Sequence, residues 1–285
     1  GGGSGTQGSL GNGAANFMQP QSQQMFPGFY ESKRFGLDLF KAQVSTFAPT
    51  DDGLVPDTYR LGVGDELNVQ LYGKDNEQFV LQVGRSGEIN FPKLGAFTVA
   101  GLTFDDAKAF IKTRVEEQFI GVSAVVTMGR LRAINVFIAG EVAIPGAYSV
   151  SALTTVTQAL FQAGGITEIG ALRSIEVRRE GRLIGTFDAY DLLLRGDMTG
   201  DVRLSSGDVV FVPAMDAVVE VTGAVRRAKF FEVLADETLE DVIFMAGGLE
   251  PSAFQAESVL YRFNGESGLG QAMTLDLTDS SVFDM

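Results

Sequence analysis

The sequence predicts an α+β protein: a small mixed domain, then two tandem copies of one β-β-α-β unit, behind a disordered N-terminal tail. Three observations predict it. The first is an internal repeat. Shifted by 83 residues, VFIAGEVAIPGAYSVSALTTVTQALFQAGGI from Val136 lies without a gap on VEVTGAVRRAKFFEVLADETLEDVIFMAGGL from Val219. Between 135 and 179, 11 of 45 positions are identical, against roughly three expected from average composition. The second is strict alternation of apolar and polar residues after Asp65, which reads as half-buried strand. The third is the opening GGGSGTQGSLGNGAANFMQPQSQQ, too polar and Gly-rich to fold alone.

Taken in order, residues 1–34 read as that tail, and 35–56 as an extended arm. FYESKRFGLDLFKAQVSTFAPTDDGLVPD spaces four Phe along a polar, Pro-punctuated strip, which suits packing on a later domain or a neighbouring subunit. A first domain is expected over 57–131. In YRLGVGDELNVQLYG, Leu67, Val69 and Leu71 share one strand face. Turn signals at Arg85-Ser86-Gly87 and Pro92 then predict a short β-meander. LTFDDAKAFIKTRVEEQF reads as an amphipathic helix with Thr103 as N-cap and Asp106 at N3. Its apolar stripe is Ala107, Phe110, Ile111 and Val115.

The repeats are expected over 132–217 and 218–285, the second possibly truncated. From Val142 to Thr167 there is no formal charge, yet a membrane helix needs about 20 predominantly apolar residues. Pro145-Gly146 and Gly164-Gly165 break the run. It resolves into a strand, a turn, a second strand and a helix opening at Thr155 with Gln158 three residues on, a capping box. Thr238 with Asp241 repeats that cap. Each helix stops at a glycine pair, Gly164-Gly165 or Gly247-Gly248. Hairpin cues follow at Glu180-Gly181 and Asn264-Gly265. Gly207-Asp208 echoes Gly64-Asp65: in each, Gly permits the turn and Asp can bond local backbone before a strand.

The composition excludes whole classes of chemistry. The 285 residues contain no Cys, His or Trp. That removes thiolate nucleophiles, disulfides, Cys/His zinc sites and Ser-His-Asp triads. With 36 acidic against 22 basic residues, the net charge of −14 argues against nucleic acid. LGVGDE and GEVAIPG do not continue as phosphate loops, and the AGG pairs follow helices where a phosphate site would precede one. Asp51-Asp52, Asp105-Asp106 and Glu116-Glu117 form no calcium loop. We expect no catalytic residue, no metal and no cofactor. The candidate residues are structural: Tyr59, Gly62, Gly64 and Asp65 in the first domain, Gly140, Pro145, Gly146, Gly164 and Gly165 in the first repeat, and Gly223, Gly247 and Gly248 in the second.

YRLGVGDELNVQLYG, GEINFPKLGAFTVAGLTFDDA and VFIAGEVAIPGAYSV…AGGI together resemble the outer-membrane polysaccharide export family. The first two are similar to its export domain, and the repeats to its soluble-ligand-binding β-grasp (SLBB) modules. The resemblance implies a periplasmic ring at the outer membrane of a Gram-negative bacterium, passing capsular or exopolysaccharide. It implies three partners: the polysaccharide, an inner-membrane co-polymerase and further copies of the chain. The chain shows neither a lipidated N-terminal Cys nor a membrane segment after the second repeat, so it is expected to be either a soluble part or a wholly periplasmic member. An acidic inner wall would let an acidic glycan slide past. The alternative is a β-grasp module that holds a glycan or small ligand and forms no conduit. In the second repeat Ala228-Lys229 replaces Pro145-Gly146, which predicts a looser turn.

Overall fold

The computed structural model describes Gly1 and residues 34–41, 54–74, 76–263 and 270–283. The expected tail, Asp51-Asp52 and the Asn264-Gly265 cue lie outside these residues.

The first domain is built on the alternation. Strand β1 (Glu66–Gly73) is flanked by β2 (Gln78–Gln82) and β5 (Val122–Met128), both antiparallel to it, in the order β2-β1-β5. Leu67, Val69 and Leu71 face inward with Leu81, Ala124 and Val126. Helix α1 (Phe104–Gln118) covers that face with Ala107, Ile111 and Val115. Phe110 is only half-buried and meets Phe97 edge-on, ring centres 5.5 Å apart. Each fully buried Leu, Ile or Val contributes about 1.5–3 kcal/mol. Thr103 caps α1, accepting from the Asp106 N–H at 3.1 Å.

The expected meander is not one sheet. Strands β3 (Glu88–Phe91) and β4 (Gly95–Thr98) form a separate hairpin. After β2 the chain turns tightly, with Gly87 N–H donating to Gly84 O and Gly84 N–H to Glu88 O, and β3 then pairs with β4 and not along β2.

The first repeat is a five-stranded sheet. Strands β6 (Ala133–Gly140) and β7 (Gly146–Ser151) lead to helix α2 (Val156–Gln162). A hairpin follows, β8 (Ile175–Arg179) and β9 (Arg182–Phe187), turning through Glu180 and Gly181, both at positive φ. A π-helical turn, Asp191–Arg195, precedes β10 (Val209–Val212). The order is β7-β6-β10-β8-β9, with β10 parallel to β6 and antiparallel to β8. Val136, Ile138, Ile175, Val177, Val210 and Val212 bury one face of the sheet.

The second repeat reproduces the beginning of this plan. Strands β11 (Val218–Glu220) and β12 (Phe230–Glu232) pair in the register of β6 and β7 moved by 83. Helix α3 (Leu239–Met245) follows, then a hairpin of β13 (Ser258–Phe263) and β14 (Gly270–Leu275). Both α2 and α3 start in capping boxes, at Thr155 with Gln158 and at Thr238 with Asp241.

Residues 34–41 are extended only at Arg34, which bridges to Phe230; the chain then coils into a 3-10 helix over Leu37–Lys41. Phe35, Leu37 and Phe40 are buried. No helix among the described residues is long and apolar enough to cross a membrane.

Candidate functional site

The Gly-Asp turn of the first domain is organised by its carboxylate. Asp65 is fully buried and every partner it has is a donor. Oδ2 accepts from the Gly62 N–H at 2.8 Å and from the Arg132 guanidinium at 2.6 Å. Oδ1 accepts from the Arg132 N–H at 2.8 Å. The Tyr59 hydroxyl lies 2.9 Å from both oxygens and accepts from Arg132 at 2.7 Å. Burial first, then the charge and hydrogen bond of Asp65, push the Tyr59 phenol well above its ordinary value. Gly64 sits at φ +100°, a conformation that disfavours any side chain with a Cβ. Gly62 answers a different need: a Cβ there would meet the Arg132 guanidinium at 2.7 Å. Because Arg132 directly precedes β6, Asp65 ties the first domain to the start of the next module.

Asp208 is a second instance. It is fully buried, accepts from the Ser205 N–H at 2.7 Å, and takes a two-pronged contact from Arg179 at 2.7 and 2.9 Å. Bidentate pairing of this kind fixes orientation as well as charge.

The turn between β6 and β7 is stapled to the helix stop. Ala143 N–H donates to Gly165 O at 3.0 Å and Ile144 N–H to Ala163 O at 2.9 Å. In the second module, Arg226 N–H donates to Gly248 O at 3.2 Å and Arg227 N–H to Ala246 O at 2.8 Å, the same pair of bonds 83 residues on. Gly223, Gly247 and Gly248 thus stand where Gly140, Gly164 and Gly165 stand. At Gly140 the constraint is severe, since a Cβ would lie 2.0 Å from Val212 O. Pro145 is exposed, and Gly146 begins β7 with ordinary φ and open space around it. Gly146 is therefore not required by the backbone, unlike the others in that loop.

The most heavily engineered site is the junction of the arm with both modules. Phe35 N–H donates to Phe230 O at 2.8 Å, and the Phe35 ring packs on Tyr190 and Phe231, centres 5.1 and 5.3 Å away. Phe40 lies on Gly165 and against Phe161, centres 5.4 Å apart. Arg34 donates to Glu168 O at 2.9 Å, Gly170 O at 2.6 Å and Glu232 Oε2 at 2.8 Å. The same Glu232 oxygen accepts from the Leu172 N–H at 2.8 Å. Arg173 reaches Glu237 at 2.5 Å and Asp188 at 3.1 Å while lying over the Tyr190 ring. The Tyr190 hydroxyl accepts from the Glu232 N–H at 2.9 Å.

Burial dominates the titration here. It raises the carboxyls of Glu232 and Asp188 despite their arginine partners. The Tyr190 phenol is pushed up to about 12, by burial first. For Arg173 burial pulls downward, and its contacts with Glu237 and Asp188 more than reverse that. Tyr59, Gly62, Gly64 and Asp65 are brought together; the glycines of the two repeats form two separate loops. Sequence reasoning missed Arg34, Arg132, Arg173, Arg179 and Glu232. The one available signal was Arg179, which the repeat places on Arg262.

Among the described residues, no group of acidic side chains is arranged to hold a metal. What the geometry offers is rigid joints: domain to module, arm to both modules, loop to helix.

Comparison with known proteins agrees with that plan. A family model described as polysaccharide biosynthesis/export protein matches residues 54–129, and the SLBB domain matches 135–187 and 218–274. The polysialic acid transport protein KpsD of Escherichia coli is 29% identical over 208 residues, covering 72% of this chain and 37% of KpsD. The EPS I polysaccharide export outer membrane protein EpsA of Ralstonia nicotianae is 27% identical over 245 residues, covering 76% of this chain and 64% of EpsA. The chain thus spans just over a third of KpsD and under two thirds of EpsA. An export-domain match followed by two SLBB-domain matches is thus the plan by which this chain is similar to polysaccharide export proteins.

Proposed function

We propose that this chain is a non-enzymatic component of a capsular or exopolysaccharide export machine. It works on the periplasmic side of the outer membrane of a Gram-negative bacterium. Copies of the chain assemble side by side into part of a conduit, with the polysaccharide as cargo and an inner-membrane co-polymerase as partner. The observation that carries this reading is the order of modules in one polypeptide, export domain then two SLBB domains. The names of the relatives KpsD and EpsA support it. Closed rings suit sheet modules, because closure leaves no free strand edge. The net charge of −14 suits passage of an acidic glycan without adhesion.

Deleting the gene in its native bacterium and measuring polymer on the surface and in the periplasm tests the proposal. Lost surface polymer with chains retained inside, restored by the full-length gene, is the expected result. Unchanged surface polymer would refute export, and glycan-array binding by a monomer would then favour the ligand-holding role.

A further inference from the structure

The turn between β6 and β7 and the turn between β11 and β12 share a backbone and differ in chemistry. In each, the same two main-chain bonds staple the turn to the stop of the following helix. The first turn, Ala143-Ile144-Pro145-Gly146, is uncharged, whereas the second, Arg226-Arg227-Ala228-Lys229, carries three cations in four residues. The side chains take corresponding places. A Cβ at Gly164 would meet Ala143 Cβ at 3.2 Å, and one at Gly247 would meet Arg226 Cβ at 3.3 Å and Arg227 Nε at 3.1 Å. Folding of the turn therefore does not call for the cations, since the uncharged copy makes the same staple.

The helix stops differ in the same place. Phe161 is 2% exposed, with Phe40 of the arm against it, and a Cβ at Gly165 would meet Phe40 O at 2.7 Å. Its counterpart Phe244 is 51% exposed, and a Cβ at Gly248 meets nothing within 4 Å. The Arg195 guanidinium stands 5.8 Å from the Phe244 ring centre and pairs with Asp191. Arg226 is exposed, with no hydrogen bond or ion pair among the described residues. Arg227 lies over the Phe35 ring at 5.4 Å without a carboxylate partner among them, and Lys229 Nζ is 3.8 Å from Asp38 Oδ2. On a chain of net charge −14, uncompensated positive charge is thus concentrated beside an open aromatic ring.

We propose, on the export reading, that this turn and helix stop bind an acidic glycan. Arg226, with Arg227 beside it, receives a sugar carboxylate, and the Phe244 ring takes the apolar C–H face of a pyranose. A guanidinium presents its donors in a fork that fits a carboxylate. Small-ligand sites combine apolar surface with a few placed polar groups in this way. A handful of side chains suits a sugar unit better than a second copy of the chain, whose interface needs about 800 Å² per partner. The acidic charge elsewhere keeps the hold local, so the glycan is gripped at one point and repelled along the rest.

The test uses the 285-residue chain with oligogalacturonate, a carboxylated glycan, against neutral maltodextrin of similar length. Amide shifts in NMR titration should cluster at Arg226, Arg227, Phe244, Gly247 and Gly248 with the acidic glycan and shrink with added salt. Arg226→Ala or Phe244→Leu should each weaken binding about tenfold or more, the worth of one charge-assisted hydrogen bond, with Tm unchanged. Because Arg227 also stacks on the arm, Arg226→Ala is the decisive variant. Equal binding of maltodextrin, shifts centred elsewhere, or affinity unaltered by both variants overturns the proposal. Equally tight binding of polyglutamate overturns it in favour of an acidic protein partner, and the same shifts appearing with protein concentration alone overturn it in favour of a second copy. No glycan binding by a chain whose gene deletion still abolishes export strikes this site alone, whereas unchanged export after deletion strikes the export reading whatever the binding.

Discussion

Replacing Arg34 by Ala removes the one side chain that contacts Glu168 O, Gly170 O and Glu232 together. The Arg34 and Glu232 side chains are 6% and 4% exposed, so water cannot substitute for the lost guanidinium. Glu232 would keep the Leu172 N–H as a donor to its carboxylate. Breaking a buried pair from one side costs about 3–5 kcal/mol, because the remaining charge is stranded. The sign of the pH dependence follows from the raised carboxyl of Glu232. A group raised in the folded state favours folding below its unfolded value, and that gain is lost as pH rises through the folded value. Arg34→Ala raises it further, so the deficit should be small near pH 4 and full at neutrality. Urea unfolding followed at both pH values, with Glu232→Gln in each background, gives the coupling between the pair. A loss below about 1 kcal/mol at pH 7, unchanged by Glu232→Gln, would refute the reasoning.

Three other outcomes follow from the same geometry. Asp65→Asn places an amide among donors only, and should cost about 2–4 kcal/mol, seen as a lower urea midpoint with unchanged slope. Gly140→Ala should cost more than about 1 kcal/mol, because its Cβ would collide with Val212 O, while Gly146→Ala should stay within about 0.5 kcal/mol; equal effects in denaturant would contradict the loop geometry. The Asp241 carboxyl is held below its ordinary value, first by the Thr238 N–H and then by its hydroxyl. Its support for α3 is therefore present above the ordinary aspartate range and lost as pH falls, whereas Gln158 at α2 cannot titrate. Amide protection measured by NMR from pH 6 to pH 3 should fall at Val242 relative to Ala159.

Local rules wrote much of this fold plainly into the chain. Thr103, Thr155 and Thr238 announce their helices because an N-cap is a bond across three residues, and Leu67, Val69 and Leu71 announce a face because strand period is two. The 83-residue offset carries the caps, the glycine pairs and even the register of β11 with β12. What stayed hidden depends on contacts distant in sequence. Nothing near Asp65 points to Arg132, 67 residues away, and nothing near Arg34 points to Glu232, 198 residues away. The meander misled because turn signals mark where the chain reverses and not which strand it then pairs with: β3 pairs with β4 and not along β2. Gly146 misled because a Pro-Gly pair normally marks a demanding turn, and here the demand falls on Gly140.

The arm also imposes an order in time. Its docking surface includes Phe230, Phe231 and Glu232, so the seating of residues 34–41 can be complete only after the second SLBB module has begun to be made. Synthesis proceeds at about 5–20 residues per second, so the arm waits about 10–40 s while its 198-residue separation from Glu232 is covered. During that interval Phe40 has Phe161 and Phe35 has the Tyr190 ring to cover, while Arg34 still lacks Glu232 and Phe35 still lacks Phe231. Closure between Arg34 and Glu232 is slow because the loop it closes is long.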